Sequence, residues 1–212
     1  MNILLIEMIV LACTGGIGSG KTYISKLFIQ LGIPAYFSDD RTKELYDSDS
    51  ELLSGMEELL GGDIISGGRL RRDIVAERIF CTPQLLLSVE ELVHPAVMRD
   101  FCRWKDEIQR KGFADGGGKI KIPPFVVFES AIILEKPAVR KIADKVMTVS
   151  APLEVRLKRI MERDKVDEIE AHRRLDIQWS DAKREALADF IIDNDNVTPL
   201  LPQVERVYLS LQ

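Results

Sequence analysis

The chain has 212 residues, with 29 Lys+Arg against 34 Asp+Glu, a formal net charge of −5, and it is 46% hydrophobic and 30% charged. That acidic balance argues against a generic nucleic-acid coat, and the apolar content is too high for wholesale disorder and sufficient for a well-buried core. Three cysteines, Cys13, Cys81 and Cys102, form no CxxC pair and are odd in number, which argues against a disulfide scaffold or a zinc site and favours a reducing cytoplasm.

Residues 3–13 are apolar apart from Glu7, too short a run to cross a bilayer and without the basic flank of a signal peptide, so they read as a buried strand. A glycine-rich turn over 15–20 follows and leads into a helix. Its face is marked by Ile24, Leu27, Phe28 and Leu31 at i, i+3, i+4 and i+7, with Gly32 as the stop signal. Ala35 to Phe37 is a short second strand running into Ser38, Asp39 and Asp40. Residues 40–111 read as mainly helical, broken by the turns Gly61-Gly62 and Gly67-Gly68 and by Pro83 and Pro95. The polar stretch 112–124, closed by Pro123-Pro124, reads as a mobile surface loop. Strands are expected over 125–128, 145–149 and 190–192, charged helices over 152–187, and a last amphipathic helix around Val204, Val207 and Leu211. Strands alternating with helices predict an α/β fold with a parallel sheet covered on both faces.

The strongest chemical signal is Gly15-Gly16-Ile17-Gly18-Ser19-Gly20-Lys21-Thr22, a full match to G-x-x-x-x-G-K-[ST] set between a strand and a helix. Glycines let the backbone turn tightly enough for several N–H groups to face one set of phosphate oxygens, and the next helix adds its positive end. Residues 16–23, from Gly16 through Ile17, Gly18, Ser19, Gly20, Lys21 and Thr22 to Tyr23, are therefore the candidate nucleotide-phosphate contacts. Lys21 supplies a mobile charge, and the Thr22 hydroxyl is the candidate Mg²⁺ ligand. No Asn-Lys-x-Asp tetrapeptide occurs, which favours ATP over GTP, and Ile65 to Arg69 only superficially resembles a transporter-ATPase signature.

Asp39 and Asp40 stand just past the second strand, at the edge of the sheet where open α/β folds bind ligands, and one of them is a candidate base for an attacking hydroxyl. The segment 152–184 holds nine basic and eight acidic residues, so most of its charges read as i to i+4 ion pairs. Arg159 and Arg163, one turn apart, are the candidates for clamping a transferring phosphoryl group.

These residues resemble the dephospho-coenzyme A kinase family from near Met8 to near the end of the chain. Ile9 to Thr14 with the glycine-rich loop looks like its opening, as does Leu31-Gly32-Ile33 leading to Ser38-Asp39. The family's Asp-Ala-Asp is here Phe37-Ser38-Asp39, so Asp39, not Asp40, inherits the base role. Gly68-Arg69-Leu70-Arg71-Arg72, Arg78-Ile79-Phe80 and His94-Pro95 look like its acceptor segments. Residues 129–135 resemble Asp-x-Pro-Leu-Leu-x-Glu, with Glu129 for Asp and Ala131 for Pro. Arg159 to Asp164 is similar to the Arg-x-x-x-Arg-Asp of its lid, and Arg174, Gln178 and Ile192-Asp193-Asn194 complete the series.

The resemblance implies a P-loop nucleoside-triphosphate hydrolase fold, as a single kinase-like domain over 8–210. Its core would lie at about 8–40, 125–150 and 188–210, a helical acceptor-binding lobe at about 41–111 and a lid at about 152–187. It implies ATP- and Mg²⁺-dependent phosphorylation of the 3′-hydroxyl of dephospho-coenzyme A. Asp39, Lys21, Arg159 and Arg163 would be catalytic, and Asp39, Arg72, His94 and Glu129 would meet the acceptor. Its partners would be the two small-molecule substrates, with no nucleic acid, membrane or obligate protein partner. Another small P-loop kinase, acting on a nucleoside monophosphate or a sugar, is the alternative, and a nucleotide-binding regulatory module without transfer activity is a third reading. Because the resemblance begins at Met8, translation from Met8 rather than Met1 is a further expectation.

Overall fold

The structure, a computed structural model, describes residues 8–115 and 117–212; residues 1–7, on which the expectation about Met8 bears, lie outside them. In chain order the elements are β1 (Ile9–Thr14), α1 (Lys21–Gln30), β2 (Ala35–Phe37), α2 (Ser38–Ser48), α3 (Ser50–Leu60), a short 3-10 turn (Gly62–Ile64), β3 (Ile65–Ser66), β4 (Arg69–Leu70), α4 (Arg72–Cys81) and α5 (Pro83–Lys111). There follow β5 (Phe113–Ala114), β6 (Ile120–Lys121), β7 (Phe125–Glu129), α6 (Pro137–Arg140), β8 (Lys145–Ser150), α7 (Leu153–Asp164), α8 (Glu168–Asp176), α9 (Asp181–Glu185), β9 (Phe190–Asp193) and α10 (Leu200–Ser210). The chain divides into two compact units, one running to Phe37 and resuming at Glu107, the other Ser38–Asp106.

The first unit is built on a parallel sheet of order β2-β7-β1-β8-β9. Each of its strands lies where the apolar runs predicted it. Alternate residues of the central strands enter a core with α1 and α10: Leu11, Cys13, Phe125 and Val127 share one cluster with Ile24 and Phe28 of α1 and Val204 and Val207 of α10. Val10, Ala12, Val126 and Phe128, which face the opposite way, are buried too, which is why β1 and β7 read as unbroken apolar runs. On α1 the predicted face holds for Ile24, Leu27 and Phe28 but not for Leu31. The helix ends at Gln30, Gly32 turns the chain at φ 82°, and Leu31 is left exposed.

The parallel arrangement puts the carboxyl ends of all these strands on one edge, where Thr14, Phe37, Glu129, Ser150 and Asp193 end their strands. Phe37 and Cys13 are both in register with Glu129. The edge is stitched by Ser130 N–H donating to Cys13 O at 3.0 Å and by Asn194 N–H donating to Ser150 O at 2.8 Å.

The second unit is mainly helical, with a hairpin of β3 and β4 turning at Gly67 and Gly68, whose φ values of 58° and 76° suit a two-residue turn. Asp49 caps α3 by accepting from Leu52 N–H at 3.0 Å. Two expectations need correcting. Pro95 does not break a helix but lies inside α5, where the turns on either side carry the helix past the one missing N–H. The stretch 112–124 is not a plain loop: Phe113 and Ala114 pair with Lys121 and Ile120 in an antiparallel hairpin, and Asp115 Oδ1 accepts from the N–H groups of Gly117 and Lys119. Among the described residues no helix is long and apolar enough to cross a membrane.

Candidate active site

The loop between β1 and α1 is shaped by its own sequence. Ser19 N–H donates to Gly16 O at 3.1 Å to close the turn, and Gly20, at φ 99°, delivers the chain into α1. The first turn of α1 has no acidic residue to neutralise its positive end, and Lys21 Nζ folds back to within 3.5 Å of Gly16 O. Ser19 Oγ is buried without a hydrogen-bond partner. A buried hydroxyl with no partner, amid a glycine turn and a helix N-terminus, is the donor set expected of a polyanion site.

Two glycines leave room for what lies against them. The Arg156 guanidinium from α7 occupies the place where a Cβ of Gly16 would be, and the Asn194 carboxamide occupies the same place at Gly20. Arg156 is buried; its Nε donates to Ile17 O at 2.8 Å and its Nη1 to Asp181 at 2.5 Å. Gln178 Oε1 accepts from Ile17 N–H at 2.7 Å, and Asn194 Nδ2 donates to Ser19 O at 2.7 Å. Arg159 reaches the carbonyls of Gly18 at 3.2 Å and Ser19 at 3.3 Å, and also Asn194 and Asn196. The outer wall of the loop is thus built from side chains more than a hundred residues away along the chain.

On the inner side, Thr22 Oγ1 donates to Glu129 Oε2 at 3.4 Å, and Glu129 is 8% exposed. The hydroxyl and the carboxylate are hard oxygen donors at the strand edge beside the loop, a pair that fits Mg²⁺ sharing its remaining positions with phosphate and water. No cluster of three or more His, Cys, Asp or Glu suited to a metal occurs among the described residues. Behind the loop, burial pushes the Cys13 thiol up to about 12, which makes it a packing group and not a nucleophile.

Sequence comparison agrees with this geometry. The family model for dephospho-CoA kinase matches residues 9–199. A dephospho-CoA kinase from Porphyromonas gingivalis is 35% identical over 201 residues, covering 94% of this chain and 93% of its own. The chain belongs to the dephospho-CoA kinase family. Among solved structures, a Thermus thermophilus protein superposes with a TM-score of 0.75 at 27% identity, covering 96% of both chains. A dephospho-CoA kinase from Campylobacter jejuni shares the fold with a TM-score of 0.65 at 21% identity, covering 95% of this chain and 96% of its own.

Within this kinase the residues singled out by sequence fall into three groups. Gly16 to Thr22 with Glu129 and Arg159 gather around the loop. Tyr23 is exposed and lines, with Gly20, Arg159, Asn196 and Pro199, a cavity of about 560 Å³ beside the end of the loop. Arg163, although one turn from Arg159, turns away to Asp164, donating at 2.7 and 2.9 Å and holding that carboxyl below its usual range, with Arg174 adding to the effect. Asp39, Arg72 and His94 belong to the second unit. Asp39 is exposed in the first turn of α2, and its neighbour Asp40 is tied to Lys43 at 2.8 Å. Arg72 opens α4 and donates to Lys43 O at 2.8 Å and to Asp47 at 3.2 Å, and His94 is half-buried on α5. Sequence reasoning missed Arg156 as a site residue: among nine cations in a charged segment, nothing local distinguishes the two that are buried, Arg156 and Arg184, or says which of them meets the loop. Its only trace was the stripe it shares with Arg159 and Arg163 at i, i+3 and i+7.

Proposed function

We propose that the protein transfers the γ-phosphoryl group of ATP to the 3′-hydroxyl of dephospho-coenzyme A, giving coenzyme A and ADP, the final step of coenzyme A synthesis. The observation that carries this is the family match across residues 9–199, with the phosphate-binding loop intact at its start. The loop amides and Lys21 hold the triphosphate, and the cavity beside Gly20 and Asn196 takes the base. Thr22 and Glu129 would hold Mg²⁺, whose charge offsets that of the β- and γ-phosphate oxygens. The acceptor oxygen attacks the γ-phosphorus as its bond to the β–γ bridging oxygen breaks, and Asp39 takes the proton from the attacking hydroxyl. Arg159 and Arg163 stabilise the charge in flight, Arg163 exchanging Asp164 for the phosphoryl group. Arg72 and His94 contribute polar groups to the acceptor.

The segment of α7 to α9 serves as the lid, the helical unit as the acceptor lobe, and the whole as one kinase-like domain. ATP and dephospho-coenzyme A suffice as partners, without nucleic acid, membrane or obligate protein partner. The free thiols Cys13 and Cys102 suit a reducing cytoplasm. The test is an acceptor panel with ATP and Mg²⁺: dephospho-coenzyme A should be consumed mole for mole with ATP, while nucleoside monophosphates and sugars should not. Turnover on one of the latter alone would assign a different kinase, and tight ATP binding with no turnover on any acceptor would assign a regulatory module.

A further inference from the structure

Ile17, the third residue of the loop, is held at three points by the segment that follows β8. Its N–H donates to Gln178 Oε1 at 2.7 Å, its carbonyl accepts from Arg156 Nε at 2.8 Å, and its side chain packs on the cluster of Ile160, Ala171 and Leu175. Both holding groups are themselves fixed. Gln178 N–H donates to Leu175 O at 3.1 Å at the end of α8, and Leu175 is anchored in that same cluster. The far edge of the Arg156 guanidinium is held by Asp181, which also accepts from the buried Arg184, and Arg184 reaches Glu135 at 3.3 Å. Because an N–H must meet an acceptor, the orientation of the Gln178 amide is set by its partner.

A loop amide that points at a side-chain oxygen is not pointing at phosphate. Gln178 therefore removes Ile17 from the anion-binding set and, with Arg156, fixes the plane of its peptide. That plane sets the direction in which the chain enters the turn closed by Ser19 N–H and Gly16 O. We propose that Gln178 is a positioning residue for ATP: with Arg156 it clamps both poles of the Ile17 peptide and presets the phosphate-binding loop before the nucleotide arrives. This deepens the reading of the loop as an ATP site and rests on it. A preset loop has less ordering to do on binding, so the clamp acts on ATP affinity and not on the acceptor.

The test uses the full chain and the variants Gln178→Met, which keeps the bulk without the acceptor, and Gln178→Glu, which keeps an acceptor oxygen on a side chain of the same length. Each is titrated with ATP and Mg²⁺ in the absence of acceptor, then assayed for KM and kcat with dephospho-coenzyme A, and melted. Gln178→Met should weaken ATP binding and raise KM for ATP by about tenfold, because the loop must then order as the nucleotide binds, while KM for the acceptor and kcat at saturating ATP stay within about twofold. Gln178→Glu should bring ATP affinity back to within about threefold of the parent. The clamp is overturned if Gln178→Met lowers only the melting temperature with ATP affinity unchanged, or if Gln178→Glu is impaired as much as Gln178→Met. Since the titration contains no acceptor, a chain that phosphorylates a different alcohol would leave its result intact, whereas a parent chain that binds no ATP would defeat both readings.

Discussion

The buried charges of the sheet unit and the exposed charges at the start of the helical unit behave in opposite ways. In the sheet unit, Arg156 and Arg184 are buried and share Asp181, and every one of these groups acts on protein: on the loop backbone, on Glu135, on Trp179 O. In the helical unit the charges around Asp39, Arg71 and Arg72 stay at the surface in short-range pairs such as Arg71 with Asp73 and Arg72 with Asp47. Arg41 with Asp100 is the exception there, a two-point pair at 2.8 and 2.9 Å whose carboxylate is buried and which joins α2 to α5. Buried charge needs a fixed partner and so fixes geometry, while exposed charge costs little to rearrange and is available to a ligand. A loop that must present several amides at once to a phosphate needs the first kind; a unit proposed to receive a long, flexible acceptor can use the second.

Three substitutions test that contrast, in order of expected effect. Asp39→Asn removes an exposed carboxylate proposed to act on substrate, so turnover should fall by about 10²- to 10⁴-fold, the usual share of general-base catalysis, with ATP affinity and melting temperature unchanged. Steady-state kinetics with a thermal melt would check this, and near-parental turnover would remove Asp39 from the mechanism. Asp181→Ala removes the carboxylate that two buried guanidinium groups share and should cost about 3–5 kcal/mol of stability, whereas Asp47→Ala, which takes one partner from the exposed Arg72, should cost no more than about 1 kcal/mol. Denaturant unfolding of both variants decides it; equal losses would erase the distinction between the units. The smallest effect is chemical. With its thiol pushed up to about 12 by burial, Cys13 stays protonated at pH 8 and should resist iodoacetamide in the folded protein, while the exposed Cys102 should be alkylated, as mass spectrometry of a Cys81→Ser chain would show.

Much of the sheet unit was legible because its signals are local. The apolar runs at 35–37, 125–128, 145–149 and 190–192 are too short to be helices and each became a strand, and the run at 3–13, of which residues 3–7 lie outside the described ones, holds β1 at Ile9–Thr14. The loop 15–22 was legible for a similar reason: tight turning, close approach and a helix start all demand particular residues in sequence. Where local rules failed, a distant partner had decided the outcome. Pro95 suggests a break only until the rest of α5 is seen to bury Val93, Ala96, Val97 and Phe101. The hairpin at 112–124 has two-residue strands, too short for any alternation to register, and is drawn together by Asp115.

The sequence by itself determined the order of strands and helices, the phosphate-binding loop and the family, since these depend on hydrophobic period and on contiguous residues. Only the tertiary structure decided which of the cations on α7 serves the loop. Arg156, Arg159 and Arg163 share one stripe, yet Arg156 is buried on Ile17 O because Asp181 meets it there, Arg159 lies on the carbonyls of Gly18 and Ser19 beside Asn194, and Arg163 is drawn off by Asp164. A guanidinium goes where an oxygen partner compensates its lost hydration, and those partners come from elements far apart in the chain.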